Sequence, residues 1–155
     1  MRHAVSLIVI IGWITAQALA LQTTSGATSQ PRACAVLTKD LVAPLTQNKT
    51  ILDQLPPEEE TLGTSGTACQ YGSVRLQLFP GRGGKRTASA KDLQPVSGAG
   101  DGGYFRSNRN RYAELMVWTS KHSLDLQVSV PSGSTAEAIK ADVIALANAI
   151  LKKLP

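Results

Sequence analysis

Ser97-Gly98-Ala99-Gly100-Asp101-Gly102-Gly103-Tyr104-Phe105 divides the chain into two halves of different character. Gly98, Gly100, Asp101, Gly102 and Gly103 tolerate turn conformations that β-branched residues avoid, so a sharp structural hinge is expected here. Tyr104-Phe105 then supplies two rings to anchor the exit to a core. Before the hinge the chain reads as a leader, a tail, a short helix and one strand. After it come a strand pair and a long closing helix.

Downstream, Tyr112 to Thr119 alternates, with Ala113, Leu115 and Val117 on one face and Tyr112, Met116 and Trp118 on the other. Both faces carry bulky side chains, as in a central strand covered on two sides. Ser120-Lys121-His122-Ser123 turns the chain, and Leu124, Leu126, Val128 and Val130 then alternate with polar residues. These two strands are expected to form an antiparallel hairpin. Ser134-x-x-Glu137 has the form of a capping box. Behind it, Ile139, Val143, Leu146 and Ile150 make the apolar stripe of a helix, and Lys152 and Lys153 suit the negative end of its dipole.

Upstream, Cys69 to Phe79 reads as one strand in which Val74, Leu76 and Leu78 alternate with polar residues. Pro80 to Arg86 ends it in a basic loop. Thr87 to Leu93 is expected to form a short helical turn that Pro95 stops. Asn48 to Ser65 contains Pro56-Pro57 and Glu58-Glu59-Glu60 and reads as a loop with a solvated acidic face. Thr38 is positioned to cap a short helix from Lys39, which Pro44 should kink or shorten. Together these elements predict an α+β class: an antiparallel sheet packed by an N-terminal short helix and a long C-terminal helix.

The N-terminus stands apart. Arg2 and His3 precede an apolar run from Ala4 to Leu21, and Ala18-Leu19-Ala20 is a small-x-small site. That pattern predicts a signal peptide over 1–20, cleaved after Ala20, with no transmembrane segment in the mature chain. Residues 21–32, rich in Thr, Ser, Gly and Gln, read as a flexible tail, and 33–155 as a single domain. The expected location is exported, periplasmic or secreted. In an oxidising compartment the two cysteines, Cys34 and Cys69, are expected to pair as a disulfide. No zinc site is expected, because His122 is the one further ligand of the mature chain.

Cys34-Ala35-Val36-Leu37-Thr38 opening a helix, Cys69-Gln70-Tyr71 opening a strand, Gly98-x-Gly100-Asp101 before an aromatic pair and the Ala-rich terminal helix together resemble a known group. They are similar to small secreted bacterial envelope proteins of unknown function with a PsbP-like α+β sandwich. The resemblance spans about residues 32–154. It implies cysteines that bridge the first helix to an early strand and carries over no catalytic residue. Many such relatives look like lipoproteins, and this chain departs from them in lacking a lipid-acceptor cysteine.

Candidate chemistry is sparse. Gly98-x-Gly100-x-x-Gly103 matches a dinucleotide fingerprint in letters, but a helix must follow such a loop to aim its N–H groups at pyrophosphate, and Tyr104-Phe105-Arg106 reads as strand or loop. No cofactor and no metal are expected. His122 reads as an exposed turn residue, and Asp53, Asp101 and Asp125 would form a carboxylate pair only if the fold brought them together. The net charge is +5, and the nine basic against three acidic residues between Arg75 and Lys121 concentrate it mid-chain. Arg82, Lys85 and Arg86, with Arg106, Arg109 and Arg111, are the candidate anion or partner site, provided their two loops adjoin. The partner would be an envelope protein or an anionic envelope component. The sparse aromatic interleaving and the expected export argue against nucleic acid. The functional expectation is an exported non-enzymatic binding or accessory module, with an envelope hydrolase as the alternative.

Overall fold

The computed structural model describes residues 31–63, 65–81, 92–108 and 111–155. The expected leader, most of the tail, residues 87–91 of the turn expected at 87–93, and Arg82, Lys85, Arg86 and Arg109 lie outside them. The protein is α+β, built on a seven-stranded antiparallel sheet. The strands are β1 (Glu58–Leu62), β2 (Gly66–Tyr71), β3 (Val74–Pro80), β4 (Gln94–Val96), β5 (Gly102–Asn108), β6 (Tyr112–Trp118) and β7 (His122–Ser129). Their spatial order is β1-β2-β3-β7-β6-β5-β4. The helices are α1 (Ala33–Val36), α2 (Lys39–Val42), α3 (Ile51–Gln54) and α4 (Lys140–Leu151), with a 3₁₀ turn at Ala43–Leu45.

Period-two patterning decides which face is buried. Leu76, Leu126, Leu115 and Phe105 are direct cross-strand neighbours on β3, β7, β6 and β5, and each is fully buried. Val143, Leu146, Ala147 and Ile150 of α4 join them in one core, as do Val36 and Val42 of the short helices. Of the described helices, α1 and α4 make the main contacts with the sheet, α1 with β1, β2 and β3 and α4 with β6 and β7. Ala33 N–H donates to Thr67 Oγ1 of β2 (2.9 Å), and Tyr71 Oη–H donates to the Leu52 carbonyl at α3 (3.2 Å). Cys34 and Cys69 form the disulfide that ties α1 to β2.

Several expectations need correction. Cys69 to Phe79 is two strands, because Gly72-Ser73 turns the chain between Tyr71 and Val74, with Gly72 at φ 57°. Asn48 to Ser65 is not loop throughout: it holds α3 and the edge strand β1. The three glutamates leave that edge charged, which protects it from pairing with another chain. Pro95 lies within β4, the opposite edge, where a missing N–H is tolerated. The expected single short N-terminal helix is three short segments. Thr38 precedes α2 but makes no side-chain cap bond, its hydroxyl accepting instead from Lys153 Nζ (3.2 Å). The Ser134–Glu137 box does not form: Thr135 Oγ1 takes the Ala138 N–H, Glu137 pairs with Lys140, and α4 begins only at Lys140.

The glycine-rich segment links β4 to β5. Gly98 and Gly100 have φ of 86° and 55°, whereas Gly102 and Gly103 already belong to β5 and do not turn. Gly103 is there for closeness, since a Cβ would sit 2.6 Å from the Met116 carbonyl oxygen. Asp101 N–H donates to the Trp118 carbonyl (2.8 Å), and Asn148 of α4 donates to the Gly98 carbonyl (2.9 Å). The segment runs strand to turn to strand, so no helix N-terminus follows it.

Candidate functional site

The other face of the sheet carries side chains that the helices do not reach. Cross-strand register places them in rows. Gln70, Arg75, Gln127, Glu114 and Arg106 lie side by side across β2, β3, β7, β6 and β5. Beside them run Ala68, Gln77, Asp125, Met116 and Tyr104, and then Phe79, Ser123, Trp118 and Gly102. A polar hollow of about 150 Å³ opens among Arg75, Gln77, Glu114, Asp125 and Gln127. A larger hollow of about 240 Å³, near Leu45, Ile51 and Val130, is mainly apolar. Two of its hydroxyls are already bonded, Thr46 Oγ1 to the Val42 carbonyl and Ser73 Oγ to the Leu45 carbonyl.

Charge on the open face is matched pair by pair. Glu114 is buried, and both its oxygens accept from Arg106: Oε2 from Nε, and Oε1 from Nη2 at 2.8 Å. That hydrogen bond chiefly, with the charge of Glu114 beside it and against some desolvation, holds the guanidinium above its ordinary pKa. Arg75 pairs with Glu60 of the edge strand at 2.9 Å. Arg106→Ala therefore leaves a buried carboxylate without its partner. The expected loss is about 2–3 kcal/mol, below the full buried-pair value because the guanidinium is one-third exposed. Arg106→Ala with Glu114→Gln should recover most of it, and urea midpoints of the two variants check this.

Of the expected cationic site, Arg106 and Arg111 lie among the described residues. Arg106 is committed to Glu114. Arg111 is exposed at the β5–β6 turn, where its carbonyl accepts from Val130 N–H just beyond the end of β7. Gly81, which leads into residues 82–91, accepts its place beside Lys121 at the start of β7, its N–H donating to the Lys121 carbonyl. The eight residues of β7 separate the two by roughly 27 Å. Nor do the three aspartates meet. Asp53 on α3 pairs with Lys39, Asp101 lies in the glycine segment, and only Asp125 faces the polar hollow. Among the described residues no group of three or more His, Cys, Asp or Glu could hold a metal ion.

His122 is not an exposed turn residue. It opens β7 half-buried, Nε2–H donates to the Pro155 carbonyl (3.0 Å), and buried Nδ1 has no partner. Buried Ser123 Oγ, beside it on the open face, also lacks one. On the second face of β6, among the described residues, Tyr104 packs against Trp118 with ring centroids 5.4 Å apart and a tilt of 48°. Sequence reasoning missed Arg75, Gln77, Glu114 and Gln127 as a group. The signal available was the set of polar residues interleaved with the core positions of three strands, but which strands adjoin is a matter of topology.

Among the described residues, no helix is long and apolar enough to cross a membrane. Comparison with protein-family models, curated proteins and solved structures returns no match to this chain.

Proposed function

We propose that this chain is an exported, non-enzymatic binding module of a bacterial cell envelope, with its ligand surface on the open face of the sheet. One observation carries the reading: a single sheet buries one face under helices and leaves on the other a polar hollow, with half-exposed aromatic rings in the neighbouring rows. A face that served only solubility would not need a buried carboxylate held by two hydrogen bonds from an arginine. The disulfide supports maturation in an oxidising compartment. Cleavage after Ala20, release to the periplasm or medium, and kinship with PsbP-like envelope proteins belong to the same proposal. In it, the short N-terminal helix and α4 both pack on the buried face of a PsbP-like sandwich.

The hydrolase alternative has one observation in its favour, since Glu114 and Asp125 line the same hollow. Against it, both oxygens of Glu114 are held by Arg106, which suits a fixed structural charge better than proton transfer. A fragment screen read by amide chemical shifts tests the binding reading. Shifts clustered on β3, β6 and β7 are expected. Fragments that bind only elsewhere would sink it, and turnover of a glycoside or ester abolished by Asp125→Asn would establish the alternative.

A further inference from the structure

Resting on that reading of the open face, we propose that its ligand is a neutral, polyhydroxylated chain, an oligosaccharide lying from the Arg75–Glu114 row to the Trp118 ring. Charge comes first. Arg75 at the hollow is paired with Glu60, and Arg106 in the same row with Glu114. Among the described residues that line the hollow, a phosphate or an acidic peptide would find no cation without a carboxylate partner. A cationic ligand would have to compete with guanidinium groups already in place.

Hydrogen-bonding capacity comes second. Gln77 and Gln127 line the hollow, and their amides make no side-chain hydrogen bond among the described residues. Each offers a carbonyl acceptor and an N–H donor in one plane, which matches a pair of neighbouring hydroxyls that each give and take a proton.

Aromatic surface comes third. The Trp118 ring packs over Gly102, where an added Cβ would come 2.8 Å from it, and Tyr104 meets the same ring at a tilt of 48°. Half-exposed aromatic faces take up the C–H side of a sugar ring while its hydroxyls stay with polar groups, the usual division of labour in a small-ligand site. Glu114 and Trp118 are four residues apart on one strand, roughly 13 Å. That span fits a short chain of sugars better than a single one.

The test titrates the ¹⁵N-labelled, oxidised full chain with soluble tetramers of glucose, mannose and N-acetylglucosamine. The readouts are the side-chain amides of Gln77 and Gln127 and the indole N–H of Trp118, the last assigned with Trp118→Phe. Saturable movement of all three with at least one tetramer is expected. Affinity should fall by about tenfold or more in the Gln77→Leu, Gln127→Leu variant, with its unfolding midpoint unchanged. If that variant does not fold, Gln127→Glu keeps the side-chain volume and should weaken the same titration. If inorganic phosphate or a tetralysine peptide moves these signals while no tetramer does, the saccharide proposal is overturned and the open-face reading stands. If no probe moves them, both fall.

Discussion

Replacing Phe105 by alanine is expected to lower unfolding stability by about 3–5 kcal/mol, the range for emptying a buried aromatic site. The ring is fully buried and lies directly across from Leu115 on β6 and Gln94 on β4. Lys140 at the start of α4 reaches over it, Nζ standing 5.0 Å from the ring centroid while donating to Gln94 Oε1. One side chain therefore holds together the edge strand, the sheet and the first turn of the helix. The void left by alanine would lie near the sheet edge, where β4 is only three residues long and has few other contacts to hold it. Urea unfolding should give a much lower midpoint with an unchanged slope. Phe105→Leu, which keeps most of the volume, should cost less than half as much. A loss below about 1 kcal/mol for alanine would mean that the ring is not part of the core.

Removing the Cys34–Cys69 bond is expected to cost about 3–4 kcal/mol, because it closes a loop with a sequence separation of 35 residues. Within that loop lie α2, α3 and β1, all short elements with little core of their own. Cys69 is fully buried on β2, so Cys34→Ala with Cys69→Ala is the cleaner substitution; serine would add a hydroxyl to an apolar site. Unfolding of the wild type with and without reductant should reproduce the difference between wild type and double variant. Equal midpoints in all three measurements would show that the bond constrains nothing that folding does not already fix. The salt links Arg32–Glu59 and Arg75–Glu60 would then be holding the β1 side alone, and exposed pairs of that kind contribute little.

The strongly patterned parts of the fold were legible in the sequence. Leu124-x-Leu126-x-Val128 and Ala113-x-Leu115-x-Val117 alternate because one face of each strand is buried, and they pair as an antiparallel hairpin. The apolar stripe through Val143, Leu146 and Ile150 placed the terminal helix. Boundaries were less legible. Gly72-Ser73 between two hydrophobic runs is a hairpin signal that was passed over, and three glutamates hid an edge strand because their propensity for strand is low. The capping motif at Ser134 failed because a hydroxyl one residue on, at Thr135, was better placed.

The candidate site was hardly legible at all, and topology is the reason. Arg75, Glu114 and Gln127 are far apart in sequence and become neighbours only because β7 inserts between β3 and β6. The cluster of basic residues stands out because charge runs are visible in sequence, and Arg82, Lys85, Arg86 and Arg109 lie outside the described residues. Arg106 has its carboxylate directly across the strand pair, at Glu114, and no spacing rule discloses that. A count of charges describes a surface only after their partners are known.

The central claim, that the open face and not the basic segment takes the ligand, is tested most directly by one comparison. Amide shift maps with the same bound oligosaccharide or fragment would be recorded for the wild type and for Arg82→Glu, Lys85→Glu, Arg86→Glu. The account predicts the same set of shifted residues in both, centred on Gln77, Glu114 and Gln127. A map lost in the triple variant, or centred on Arg111 and the residues following Gly81, would contradict it.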